Sequence, residues 1–267
     1  MPAFETPQPI TATVEISAGT VRLVASDRDD TVVEVWPRDE SRSHDVKAAE
    51  QVRVDFNNGT LAVTSQRGFS FPRRGAVVVD VALPEGSRLH ASVASANFHA
   101  EGRYADCTLA SASGDLSVES VTGNIKAETA SGAVSVDAVK GNAAIATASG
   151  DAMIGELDGG LKFRAASGSL TVGRLYGNVN AQIASGDVTV TTAVNGGVSV
   201  QTSSGELVVG IAEGTAAQLD LRTRSGDVHN SLTSSDGPED GDETLVVQAR
   251  TGSGDIVVQR ATAAAMS

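Results

Sequence analysis

Hydrophobic and polar residues alternate along most of this chain, and a Ser-Gly dipeptide interrupts the alternation at a fixed interval. The dipeptide recurs every eighteen residues, at Ser113, Ser131, Ser149, Ser167 and Ser185. A second glycine follows nine residues after the first in each repeat, at Gly123, Gly141, Gly159 and Gly177. A fixed short period is typical of a solenoid, so each repeat is predicted to contain two strands and two turns.

The alternation assigns strand residues to the interior or to the surface, because successive side chains on a strand point to opposite faces. Counted from each serine, offsets three and five are predicted to face inward, as in Leu116 and Val118, Val134 and Val136, Leu170 and Val172, Val188 and Val190, and Leu207 and Val209. The second strand places Ile125, Ala127 and Thr129, and later Val179, Ala181 and Ile183, inward. The polar residues between them, Ser117, Ser135, Thr171 and Thr189, are predicted to face solvent.

The turns favour one architecture. Glycine adopts positive φ without steric cost, and parallel strand crossovers are almost always right-handed. We therefore predict an all-β fold, a right-handed parallel β-solenoid with 18-residue coils, two strands per coil and an irregular N-terminal β cap.

Three segments are predicted from the regularity of the period. Residues 1–94 form the irregular cap and the first coil or coils, residues 95–260 form regular coils with an acidic insertion near 235–243, and residues 261–267 form a tail. A short helix with a capping residue is predicted over Ser43–Glu50. With the coils stacked in chain order, Ile256 to Val258 would be the last strand, covered only by Gln259 to Ser267.

Composition narrows the classes of function. The net charge of -13 argues against binding to nucleic acid through phosphate neutralisation. The single cysteine, Cys107, falls at an inward offset, so a buried thiol is predicted and no disulfide within the chain. The first ten residues contain neither a charged nor an apolar signal region, and no apolar run has membrane-spanning length. The expected location is cytoplasmic.

Candidate catalytic acids occupy one turn of alternate repeats, at Asp115, Asp151 and Asp187, with Ala133 and Ser169 between them. We interpret this alternation as avoidance of like charge. A calcium β-roll would need aspartate in every half turn, which this chain lacks. The four histidines (His44, His90, His99 and His229) have no ligand spacing. We therefore predict no catalytic residue, no cofactor and no metal site.

The loop between Thr64 and Ala76 is the one candidate contact surface in the sequence. It contains Arg67, Phe69, Phe71, Arg73 and Arg74 without a nearby acid. Such a loop could hold an anionic partner or touch a membrane surface. The alternative is a loop between strands whose aromatic side chains pack against the cap.

The Ala-Ser-Gly-Asp and Gly-Asn turns from Ser113 to Asp187, with strands such as Val77 to Gly86, resemble the bacterial β-strand-repeat family called domain of unknown function 4097 (DUF4097), also labelled "putative adhesin". The resemblance spans Pro9 to Arg260 and implies a non-enzymatic bacterial protein. The predicted function is a protein-interaction or scaffold module that binds a protein partner or self-associates through the solenoid ends. The alternative is a polysaccharide-binding or polysaccharide-processing β-helix protein.

Overall fold

The structure, a computed structural model, describes residues 2–65, 75–233, 237 and 241–261. Within these ranges 74% of the residues lie in strands, and there is one short helix. The all-β class predicted from the alternation is thus confirmed. No helix of the described ranges is long and apolar enough to span a membrane.

The chain divides into two compact units, Met1–Val136 and Asp137–Ser267. The elements of the first unit are β1 Ala3–Glu5, β2 Thr11–Ser26, β3 Asp30–Pro37, α1 Ser43–Glu50, β4 Arg53–Asn57, β5 Thr60–Thr64, β6 Val77–Pro84, β7 Ser87–Ser113, β8 Leu116–Val121 and β9 Ile125–Ser131. Strand β10, Val134–Val139, contains the boundary. The second unit continues with β11 Ala143–Ser149, β12 Ala152–Ser167, β13 Leu170–Ser185, β14 Val188–Ser204, β15 Leu207–Ile211, β16 Thr215–Ser225, β17 Val228–Asn230, β18 Glu243–Ser253 and β19 Ile256–Arg260.

Strand pairing in the first unit changes from parallel to antiparallel towards its N-terminal strands. Strand β2 pairs in parallel with β7 and also with β5 and β6. Beyond them, β3 runs antiparallel to β6, β4 antiparallel to β5, and β1 antiparallel to β3. These antiparallel strands form hydrogen bonds with backbone groups that a purely parallel arrangement would leave unpaired at its edge.

The predicted helix is confirmed with its boundaries, Ser43–Glu50. Its N-cap is Arg42 instead of Ser43, and no side chain caps the first turn. Asp45 lies in the first turn of the helix, and its buried carboxylate accepts a hydrogen bond from the Ala76 N–H at 2.9 Å. This bond ties α1 to the residue just before β6.

Parallel pairing at an interval of eighteen residues is observed in both units. Cys107 pairs with Ile125 in the first unit, and Ala152 pairs with Leu170 in the second. Every residue that the alternation placed inward is buried, and the residues placed outward are half-buried or exposed. The Ser-Gly turns depend on glycine, because Gly168 has a φ of 140° and a Cβ there would collide with the Gly150 carbonyl oxygen.

The order of the last repeats in the second unit differs from their order in the chain. Strand β18 pairs with β14 on one side and with β16 on the other. In the same way β19 pairs with β15 and with β17. The prediction that Ile256 to Val258 is the last strand is therefore wrong, because it lies between two others.

A short turn between β15 and β16 accommodates this exchange. The Thr215 hydroxyl donates a hydrogen bond to the Val194 carbonyl at 2.7 Å. Arg260, at the end of β19, donates from Nη1 to the carbonyls of Ala212 at 2.8 Å and Thr215 at 3.0 Å. These hydrogen bonds attach the end of β19 to the turn between β15 and β16.

The inward register yields the first prediction. Val136 is fully buried and Ser135 is half-buried, so Val136→Asp places an unpaired charge in the interior. We expect this variant to lose about 3 kcal/mol or more of unfolding free energy, and Ser135→Asp to lose less than about 0.5 kcal/mol. Urea denaturation of both variants measures the difference. Equal losses would contradict the assignment of the two faces.

Candidate interaction surface

Strand β16 has a neighbour on one side only among the described residues, namely β18. Its inward side chains Leu219 and Leu221 are half-buried, whereas their partners on β18, Val247 and Ala249, are 0% and 1% exposed. We call β16 and β17 together, Thr215–Ser225 and Val228–Asn230, the open edge. It exposes side chains of the interior type and, on the side without a described neighbour, the backbone groups of the strand.

Strand β17 continues the same edge. Val228 is 44% exposed, while its partner on β19, Ile256, is fully buried. The next inward position holds Asn230, which pairs with the buried Val258. A polar residue at this position suits a strand with no further repeat above it.

Charged side chains on the outer face of β16 accompany the exposed backbone. The outer row is Gln218, Asp220, Arg222 and Arg224. Asp220 pairs with Arg222 at 3.0 Å and with Arg250 of β18 at 3.6 Å. The strand has neither proline nor an inward-facing charge, two of the devices that protect sheet edges from association, although the charges of its outer row are a third.

The acids predicted as candidate catalytic groups bond to the backbone of the turns instead. Asp115 accepts a hydrogen bond from the Ala133 N–H at 2.9 Å. Asp151 and Asp187 accept from the N–H groups of Ser169 and Glu206, each at 2.8 Å. Each carboxylate thus satisfies a turn donor in the next repeat.

Like charges do succeed one another in this turn, contrary to our interpretation of the alternation. Because β19 lies between β15 and β17, the turn residues of four consecutive repeats are Asp187, Glu206, Asp255 and Asp227. Avoidance of repulsion does not explain this succession of acids, whereas the hydrogen bond that Asp115, Asp151, Asp187 and Asp255 each accept gives an acid a role at this position, which Ala133 does not fill. Asp255, for example, accepts the Asp227 N–H at 2.8 Å.

The remaining candidates are placed as follows. Cys107 is buried as predicted, and burial, assisted by the charge of Asp106, raises the pKa of its thiol to about 12. Within the described ranges, no three His, Cys, Asp or Glu side chains lie close enough together to hold a metal ion. The predicted contact residues Arg67, Phe69, Phe71, Arg73 and Arg74 lie outside the described residues.

Two shallow cavities lie on the flanks of the second unit. One, of about 590 Å³, has Gly160 and Gly197 among its lining residues, together with Asn142, Asn178 and the exposed Val246. The absence of side chains on the two glycines makes room for it.

The second cavity, of about 580 Å³, brings Glu156, Asp158, Tyr176 and Asn195 together. Arg174 donates a hydrogen bond to the Tyr176 hydroxyl at 3.1 Å and so orients the ring. Sequence reasoning missed this cluster, although Asp158, Tyr176 and Asn195 occupy the same corner of successive repeats.

A comparison with family profiles matches residues 12–259 to Toastrack DUF4097. The chain belongs to the Toastrack DUF4097 family. The resemblance drawn from its turns is confirmed. A search of curated proteins finds no match to this Toastrack chain.

One of three similar solved structures supports the fold. A putative adhesin from Bacteroides fragilis aligns with a TM-score of 0.50 at 10% identity, covering 97% of this chain and 95% of that one. A putative lipid binding protein from Parabacteroides distasonis aligns at 0.47 and 13% identity, covering 95% of each chain. A putative adhesin from the same species aligns at 0.37 and 13% identity, covering 97% and 95%. At these identities the first likeness shows a common fold alone.

The turn bonds of this Toastrack protein give a second prediction. Asp151→Ala removes the acceptor of the Ser169 N–H, and we expect it to cost about 0.5–1.5 kcal/mol of unfolding free energy. Asp151→Asn keeps an oxygen at that place and should cost clearly less. Denaturant unfolding of the two variants shows whether the hydrogen bond to the Ser169 N–H or the negative charge of Asp151 stabilises the turn. Equal losses would mean that the negative charge matters and the bond does not.

Proposed function

We propose that this Toastrack protein is a non-enzymatic bacterial protein-interaction or scaffold module that acts in the cytoplasm. Its partner is another protein or a further copy, bound at the open edge. The observation that carries the proposal is the one-sided pairing of β16, with half-buried Leu219 and Leu221 beside it. Exposed apolar residues next to unpaired strand groups are typical of surfaces that bind by strand addition.

The architecture proposed for this role is a right-handed β-solenoid. The parallel pairing at eighteen residues supports it, as does the general right-handedness of parallel crossovers. A solenoid keeps its sides closed by hydrogen bonds between repeats and presents unpaired backbone groups at its ends. Binding at an end therefore adds hydrogen bonds and buries apolar side chains in a single step.

A non-catalytic role fits the use of the acidic side chains. The turn carboxylates of Asp115, Asp151 and Asp187 each accept a backbone hydrogen bond. This hydrogen-bonding role in the turns accounts for the three aspartates without assigning them a catalytic role. The buried thiol of Cys107 has a raised pKa, which disfavours the nucleophilic thiolate.

The second candidate function is polysaccharide binding, and the Tyr176 corner favours it. Sugar-binding sites commonly combine an aromatic ring with carboxylate and amide groups, because rings stack on the C–H face of a sugar while oxygen and nitrogen atoms bond its hydroxyls. Asp158, Tyr176 and Asn195 supply one group of each kind. The corner has a single ring, so it could hold one sugar unit and offers no platform for an extended chain.

The experiment compares a variant of the open edge with a matched control. Val228→Lys places a charge on the exposed valine of β17, whereas Met153→Lys changes another exposed apolar residue, 55% exposed and located on β12. Each protein is used as bait in extracts of its own host, with partners quantified by mass spectrometry. We expect capture of specific partners to fall about tenfold in Val228→Lys, equivalent to 1.4 kcal/mol, and to stay unchanged in Met153→Lys.

Two results would contradict the proposal. Equal capture by all three proteins would mean that the open edge does not bind. Binding to immobilised polysaccharide that disappears in Tyr176→Ala would favour the second candidate function instead. Thermal melts of every variant confirm that a loss of capture does not come from unfolding.

A further inference from the structure

The open edge requires an occupant that supplies both a strand and an apolar cover. Each inward side chain of β18 is buried, because strands lie on both of its sides. On β16 the equivalent residues Leu219 and Leu221 have such a neighbour, among the residues that the structure describes, on one side only. An additional strand paired with the other side of β16 would bury Leu219 and Leu221 in the same way.

The outer row of β16 is complementary to itself. When a second copy of β16 runs antiparallel with Leu221 opposite its own equivalent, Asp220 faces Arg222 of the second copy, and Arg222 faces Asp220. Gln218 then faces Arg224. Moving the register by two residues in one direction sets Asp220 opposite Asp220, and in the other direction Arg222 opposite Arg222. Opposite charges on facing strands stabilise a pair and like charges destabilise it, so of these three registers the first is favoured.

The inner row agrees with this register. Leu221 meets Leu221, and Leu219 meets Thr223, on the face that continues the interior of the second unit. Residues directly opposite each other in an antiparallel pair share a face, so the apolar residues meet each other and the charged residues meet each other.

We propose that two copies of this chain associate through antiparallel pairing of β16 with β16 about a twofold axis at Leu221. This proposal rests on the interaction function given above and names the partner as a second copy. A twofold contact uses the same strand of both chains and closes after two copies. In the first unit, β1 pairs only with β3 and β4 only with β5 among the described residues, and both pairings are antiparallel.

Charge exchange tests the register. Asp220→Arg sets arginine against arginine in the dimer, and Arg222→Asp sets aspartate against aspartate. Each variant alone should dimerise about tenfold more weakly than the wild type in sedimentation velocity at a series of concentrations. An equimolar mixture of the two variants should regain association as a heterodimer, because arginines then face aspartates. The double variant Asp220→Arg/Arg222→Asp should also dimerise.

The mixture separates contacts between chains from contacts within one chain. Asp220 also pairs with Arg250, so a single exchange could lower stability by itself, and thermal melts of each variant measure that effect. Mixing cannot repair a defect within one chain, whereas it restores complementary charges between two chains. Recovery in the mixture therefore supports the dimer directly.

Three outcomes would overturn the inference. A wild-type protein that stays monomeric at every concentration would do so, as would dimers that both single exchanges leave unchanged. A chain that dimerises only after removal of residues 262–267 would show that its own tail occupies the edge. If the wild type is monomeric while Val228→Lys still abolishes capture of another protein, the interaction function stands and only the second copy as partner is rejected.

Discussion

Parallel backbone hydrogen bonding at a constant interval is the constraint on which the rest of this structure depends. Each repeat is ordered through the strand hydrogen bonds that it shares with neighbouring repeats. The interval fixes the glycine at each turn, because the carbonyl of the preceding repeat lies where a Cβ would be. It also gives the turn aspartates their role, which is to accept an N–H of the next repeat.

The same constraint means that the terminal strands of each unit differ from the others in how their backbone hydrogen bonds are satisfied. In the first unit, antiparallel strands and one helix surround the N-terminal parallel strands. In the second unit, β18 and β19 enter between earlier strands, held by Arg260 against the turn before β16. This return leaves β16 and β17 without a neighbour on one side among the residues that the structure describes, and this is the edge at which we propose association.

Much of the fold could be predicted because the signal repeats. Alternation fixed which residues are buried, and a single period was enough to pair Cys107 with Ile125. The order of the last repeats could not be predicted, because Ser204, Ser225 and Ser253 align in either order. One signal was present: Asn230 stands at an inward position where Val258 and Val209 stand in its neighbours. The corner at Tyr176 was missed in part because the register shifts there: Asp158 pairs with Tyr176 at the regular interval, but Asn195 follows nineteen residues later.

Disulfide formation between paired cysteines tests the exchanged order most directly. Gln201 pairs with Arg250, and Arg250 pairs with Arg222, so Gln201 and Arg222 lie two strands apart, about 9.6 Å. A disulfide requires Cα atoms within about 7 Å. Gln201→Cys with Arg250→Cys should therefore cross-link under mild oxidation, while Gln201→Cys with Arg222→Cys should not; Cys107 is buried and does not interfere. Cross-linking of the second pair and not the first would contradict the exchange of strands and with it the open edge at β16.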